Sequence, residues 1–343
     1  MDKNNLVKKI IINTIVFLGM LLVVTIFKSV FGDKNSVVGI TTAMSLLILL
    51  RKDLTKTPFK NFFILLFINV ASGIASYIAA TDIWIGIILD FLSLSLIGYY
   101  LGYTLTKILI IPFGLQYLFM LNSKIPLNVL PKRCFALIAG VVLIMLSQFI
   151  VNRKNNSNNE KESSLVVFEN TEGDTSYKTI NFLGMNINVH TVRLAFAIRI
   201  GLLTALTSFI TNYFVLEEGR WMTYTVFSVS EFYSDTFFIK SKNRIQGTII
   251  GSIILVIMFI FIKNTTLRGL LVLVAGYLNS FFDDYRDMMI LVTISAVAPL
   301  AISNGSVEAV LNRIFFVIIG IILALIVNLF IPAGKIPQKK EAN

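Results

Sequence analysis

Histidine occurs once, at His190, and cysteine once, at Cys134, in a chain of 343 residues. One cysteine excludes an intrachain disulfide, and no His/Cys grouping exists to hold zinc or an iron–sulfur centre, so neither a metal nor a cofactor is expected. General acid–base catalysis would lack its commonest participant at the membrane. The sequence contains no HExxH, GxSxG or Walker A pattern, so it reads as neither an enzyme nor an ATPase. Charge is scarce too: 14% of residues are charged against 56% hydrophobic, with a mean hydropathy of +0.80. A soluble chain of this length divides into domains with polar surfaces, whereas here polar sequence is confined to connectors. The apolar surface is expected to face lipid.

Apolar stretches of roughly 17–25 residues suit about 30 Å of hydrocarbon at 1.5 Å per residue. Twelve are read. Six lie near 10–31, 36–50, 61–80, 83–102, 106–121 and 134–151, and six near 192–216, 220–236, 246–262, 267–282, 287–302 and 313–332. The second, fifth, eighth and eleventh are short or interrupted. Lys3, Lys8 and Lys9 before the first run resemble a signal peptide's basic start, but the run continues to about Phe27 without a small-residue cleavage site and reads as a retained anchor. The polar stretch NRKNNSNNEKESS, 152–164, separates the two sets, and partial apolar alternation around Gly184 points to a small β-hairpin beside the membrane. The expected division is a first six-helix unit at 1–151, a polar linker with the hairpin at 152–190, and a second six-helix unit at 191–343.

The net charge of +11 does not point to nucleic acid, because basic residues flank the spans instead of forming one soluble patch with interleaved aromatics. RKDLTKTPFK (51–60), the polar connector, KSKNR (240–244) and the tail with Lys339 and Lys340 fall on one side. The positive-inside rule makes that side cytoplasmic, with both termini there, in a plasma membrane of bacterial type. Lys124, Lys132 and Arg133 run against the rule on the opposite side.

Two segments recur. RCFALIAG at 133–140 and RIFFVIIG at 313–320 align without gaps at a shift of 180, which pairs Arg133 with Arg313 and Gly140 with Gly320. Each half holds an even number of spans, so the copies share one orientation about an axis along the membrane normal. The fold expected is all-α and polytopic, about twelve transmembrane helices in two parallel six-helix repeats.

The richest stretch runs from Arg220 to Gly251, RWMTYTVFSVSEFYSDTFFIKSKNRIQGTIIG. It resembles the FUSC family, the fusaric acid resistance and aromatic acid exporter group, whose second half pairs a tryptophan–threonine span with an R..GT..G helix start. Arg244, Gly247, Thr248 and Gly251 match that start, Trp221 with Thr223 or Thr225 matches the preceding span, and HTVRLAFAIRIGLL with Arg199 looks like the opening helix. Where many members have Gln-Pro-Tyr, this chain has Glu231, Phe232 and Tyr233, so only the tyrosine carries over. A more distant resemblance is to plant aluminium-activated malate transporters, which are anion channels, and it implies a homodimer.

Arg199 sits inside an apolar run, where a guanidinium costs about 2.5–3.5 kcal/mol at the membrane centre. It either snorkels to the interface or offers a planar fork to an organic carboxylate. Arg244, Arg220, Trp221, Thr225 and Tyr233 join it as anion-binding candidates. Arg133 and Arg313 read as anion-attracting groups at the outer mouth or as repeated structural caps. Asp90, in IGIILDFLSLSL, and Glu231 are proton-coupling candidates, with a salt bridge and a solvated helix end as the structural readings. Gly247 and Gly251, four apart, allow close helix packing, with Thr248 available to hydrogen-bond across it. Pro112 and Pro299 interrupt the fifth and eleventh spans. The acidic DDYRD (283–287) is a candidate gate against the basic 240–244 loop.

The leading function is a secondary exporter of organic, notably aromatic, anions, with membrane lipid and a small organic anion as partners. The alternatives are an anion channel of the malate-channel type and a non-transport membrane assembly protein.

Overall fold

The structure is a computed structural model and describes residues 3–152, 165, 177–182 and 185–334. Most of the expected connector and the tail with Lys339 and Lys340 lie outside the described residues. Twelve α-helices are described: α1 (Lys3–Phe31), α2 (Ser36–Leu49), α3 (Pro58–Thr81), α4 (Ile83–Leu101), α5 (Ile110–Asn122), α6 (Leu130–Asn152), α7 (Thr191–Tyr213), α8 (Arg220–Val229), α9 (Ser234–Phe261), α10 (Thr265–Asn279), α11 (Tyr285–Asn304) and α12 (Ser306–Phe330). Strands β1 (Tyr177–Phe182) and β2 (Met185–His190) pair antiparallel, Tyr177 opposite His190 and Phe182 opposite Met185, and lead into α7.

The chain is an all-α, multi-pass membrane protein. Among the described residues eight helices are long and apolar enough to cross a bilayer. The expectation of twelve full spans is reduced accordingly, because α2, α5, α8 and α10 hold only 14, 13, 10 and 15 residues. At 1.5 Å per residue α8 spans about 15 Å, half the hydrocarbon thickness.

Local chemistry sets the boundaries. Asp82 accepts from the backbone N–H groups of Trp84 and Ile85 at the start of α4, Asn264 does the same for Thr266 and Leu267 before α10, and Asp284 caps α11 through Arg286. Pro58 opens α3, where its missing N–H costs nothing. Pro112 also falls in a first turn, that of α5, so it starts a helix instead of interrupting a span. Pro299 does lie inside α11.

Glycines decide the closest seams. A Cβ on Gly201 of α7 would come within 2.6 Å of the Phe91 carbonyl of α4, and the Ser95 hydroxyl donates to Ala197 O at 3.1 Å, so α4 and α7 join the two halves. On α9, a Cβ on Gly251 would sit 2.6 Å from the Ile290 carbonyl of α11, and one on Gly247 would sit 2.8 Å from Arg286 O. Those two glycines therefore serve helix packing. Gly140 of α6 faces Thr42 of α2, and Gly320 of α12 faces Thr225 of α8. The outer faces stay apolar and open, as at Phe67 (74% exposed) and Leu329 (82%), as lipid contact requires.

Candidate functional site

The eighth span is broken. Helix α8 ends at Val229, residues 230–233 leave the helical path, and α9 begins at Ser234. An unwound segment inside a bundle leaves carbonyls without intrahelical donors, and side chains from distant elements supply them. Lys107, in the loop between α4 and α5, donates to the carbonyls of Phe227 and Ser228. Arg199 of α7 donates to Glu231 O at 2.6 Å and also to Asn328 Oδ1 (2.8 Å) and Ile331 O (3.4 Å) at the end of α12. The backbone N–H of Gly334 donates to Phe232 O at 2.9 Å, and that of Ser234 to Gly334 O at 3.1 Å. Arg199, 3% exposed, neither snorkels nor presents a free fork to a carboxylate; it ties the break to the last helix. Tyr233 bridges to Gly334 and packs on the apolar core.

Glu231 lies 2.5 Å from Lys240 and 3.8 Å from Lys107. Glu231 is therefore paired on two sides instead of ending a solvated helix. The DDYRD acids do not meet the basic loop through their carboxylates: Asp283 lies 3.9 Å from Lys9, Asp284 caps α11, and Asp287 pairs with Arg286. Tyr285 does meet it, its ring lying beneath Lys240, and its hydroxyl also contacts that of Ser228.

Where α8, α9 and α12 meet, the polar side chains behave differently. Arg313 of α12 is 1% exposed, stacks on the Trp221 ring of α8 with 3.9 Å from guanidinium carbon to centroid, and lies within electrostatic reach of Arg244 on α9. Its Nε and Nη1 have no hydrogen-bond partner among the described residues, nor do Nε of Arg244 and Nε1 of Trp221. The hydroxyls of Thr225, Thr248 and Ser252 are also buried and unpartnered. Helical hydroxyls ordinarily fold back on a carbonyl one turn earlier, as Thr204, Thr207 and Thr293 do. Arg244, Thr248 and Ser252 recur at four-residue intervals and so share one face of α9. Thr248 makes no hydrogen bond across the glycine seam.

The helices carrying these groups lie in one recognisable stretch. Residues 204–327 match the fusaric acid resistance protein-like (FUSC) family. The resemblance read from Trp221, Arg244, Gly247, Thr248 and Gly251 is borne out there. No curated protein and no solved structure matches the chain.

The remaining candidates flank the FUSC-like region or lie outside the cluster. Arg133, the counterpart of Arg313 in sequence, is also 1% exposed, yet its guanidinium is filled: Nε donates to Asn35 Oδ1 (3.1 Å), Nη1 to Ser123 O (3.1 Å) and Met120 O (3.4 Å), and Nη2 to Lys34 O (2.9 Å) and Ser123 Oγ (3.4 Å). It acts as a structural cap. Arg220 is bonded by Glu218 at 3.0 Å and lines a cavity of about 250 Å³ with Lys124, Ser208, Asn212 and Glu217 between α5, α7 and α8. Asp90 on α4, 1% exposed, accepts from Tyr117 OH of α5 at 2.6 Å and is reached by the Ser208 hydroxyl of α7. No ion pair reaches it among the described residues, so the salt-bridge reading of Asp90 does not hold. Lys107 and Tyr117 escaped sequence reading, since a lysine beside a span end resembles an interfacial anchor and a tyrosine in an apolar run resembles core.

Proposed function

We propose that this protein is a secondary transporter that exports organic anions across a bacterial-type plasma membrane, with the end holding Lys107, Glu231 and the close of α12 facing the cytoplasm. The observation that carries the reading is that Arg244 and Arg313 are both buried within apolar helices, act on each other electrostatically, and form no salt bridge among the described residues. The one carboxylate acting on Arg313, Glu218, is itself bonded to Arg220. A buried arginine whose donors the protein does not fill is costly in hydrocarbon and marks a candidate ion or substrate path. A bundle with a purely architectural role would place a carboxylate, or carbonyls as at Arg133, against those charges. The match to a family named for resistance to an organic acid supports the anionic substrate class.

The broken α8–α9 span supports a moving element, because interrupted helices border the sites of many transporters. Both arginines are closed from solvent, 4% and 1% exposed, which favours alternating access over an open pore. Of the two proton-coupling candidates, Asp90 is favoured because it is bonded by hydroxyls and forms no ion pair among the described residues, whereas Glu231 is paired with lysines. The matching contacts of Gly140 with Thr42 and Gly320 with Thr225 support two repeats about one axis. Proteoliposomes loaded with benzoate or malate test the reading: uphill release driven by an imposed pH gradient is expected. Ohmic anion currents would replace the exporter with a channel, and no movement of either acid would leave the transport reading without support.

A further inference from the structure

We infer that the exported anion docks its charged head group between Arg313 and Arg244, on a donor cradle completed by Trp221, Thr225, Thr248 and Ser252. This rests on the anion-transport reading and assigns it a subsite. The cradle's free groups are of one kind. The unpartnered nitrogens of Arg313, Arg244 and Trp221 can only donate, and the three hydroxyls are free to donate. A cation would be repelled and a neutral sugar would leave the guanidinium charges uncompensated, whereas a compact oxyanion such as a carboxylate supplies that charge and accepts from several donors at once. Trp221, on which Arg313 stacks, belongs to an apolar cluster with Met222 and Phe316, flanked by Ile319 and Leu300, so the body behind the head group meets apolar side chains. The ligand class is therefore a carboxylate with an apolar body.

The first half supplies an internal control. Arg133 heads a similar segment and is equally buried, but Asn35, Lys34, Met120 and Ser123 accept from all three of its nitrogens. The recurrent arginine is a cap in one half and an open donor in the other, so the subsite exists once per chain.

The test uses the full chain in nanodiscs with Trp84→Phe, which leaves Trp221 as the sole tryptophan. Trp221 fluorescence is titrated with sodium benzoate and with benzamide, its neutral counterpart of similar shape. A saturable response to benzoate and none to benzamide is expected. Arg313→Met should weaken benzoate by at least about tenfold, Arg244→Met should weaken it too, and Arg313→Lys should fall between parent and Arg313→Met because it keeps the charge with fewer donors. Folded Arg133→Met should bind within about twofold of the parent. Equal responses to benzoate and benzamide, or unchanged affinity in both Arg313→Met and Arg244→Met, would overturn the subsite. Benzoate export from proteoliposomes separates the two levels: export that survives both substitutions removes the subsite alone, while a parent that moves no carboxylate removes the transport reading beneath it.

Discussion

Replacing each of the two recurrent arginines by methionine should have opposite consequences for stability. Met keeps much of the length and apolar stem and removes the charge and its donors. At position 133, three short charge-assisted hydrogen bonds disappear, to Asn35 Oδ1, Ser123 O and Lys34 O at 3.1, 3.1 and 2.9 Å. Bonds to charged groups contribute about 1.5–3 kcal/mol each, and their buried acceptors would be left unmatched. These contributions are not additive, and with each unmatched buried acceptor costing about 1–3 kcal/mol a total loss of roughly 3–5 kcal/mol is expected. At position 313 the substitution removes no hydrogen bond of Nε or Nη1. It loses a stacking contact with Trp221 of roughly 0.5–2 kcal/mol while relieving the burial of a guanidinium, about 2.5–3.5 kcal/mol on insertion scales. Arg313→Met is thus expected to be neutral or slightly stabilising, and Arg133→Met to lower the unfolding midpoint by roughly 10 °C, taking about 2–4 °C per kcal/mol. Half-buried Cys134, the single cysteine, lets a thiol-reactive dye follow unfolding in detergent, and the monodisperse fraction after heating gives a second readout that does not depend on the neighbour of residue 133. If Arg313→Met loses as much as Arg133→Met, then Arg313 is engaged by the protein and the reasoning fails.

Other substitutions probe the same architecture. Asp90→Asn should abolish the dependence of export on a pH gradient while the protein still binds benzoate; unchanged pH-driven export would remove Asp90 from coupling. Gly251→Val should cost several kcal/mol and reduce folded yield, since a Cβ there meets Ile290 O at 2.6 Å and backbone cannot step aside; wild-type thermal stability would contradict the α9–α11 seam. Lys107→Met should leave the carbonyls of Phe227 and Ser228 bare and speed hydrogen exchange across residues 226–234, measured by mass spectrometry, with no change outside that region if the lysine acts locally.

Helix positions were legible because lipid forces a simple code. Hydropathy predicts a span at 83–102 where α4 runs Ile83–Leu101, and one at 313–332 where α12 runs Ser306–Phe330. The shortness of α8 was only partly legible, because the hydroxyl-rich run from Thr223 to Ser230 weakens hydropathy without saying where the backbone unwinds. Pairings across the chain were not legible at all. RCFALIAG and RIFFVIIG carry equivalent local information, and what separates a capped arginine from an open one is Asn35, 98 residues before Arg133, and Trp221, far from Arg313 in sequence. The buried acids reversed in the same way. Asp90 was paired with an arginine in one reading and has only hydroxyls, whereas Glu231 was a free helix end in one reading and has two lysines. Period and hydropathy describe which face a residue occupies, and partner identity depends on how faces from remote segments come together.

The main-chain tie between Gly334 and the 232–234 segment carries a further consequence. Two peptide-to-peptide hydrogen bonds join the segment that follows α12 to the start of α9. Such a joint reads no side-chain identity, so sequence on either flank can drift without cutting it. A displacement of Gly334 would therefore reach the unwound turn, and through Arg199 and Lys107 the neighbouring helices.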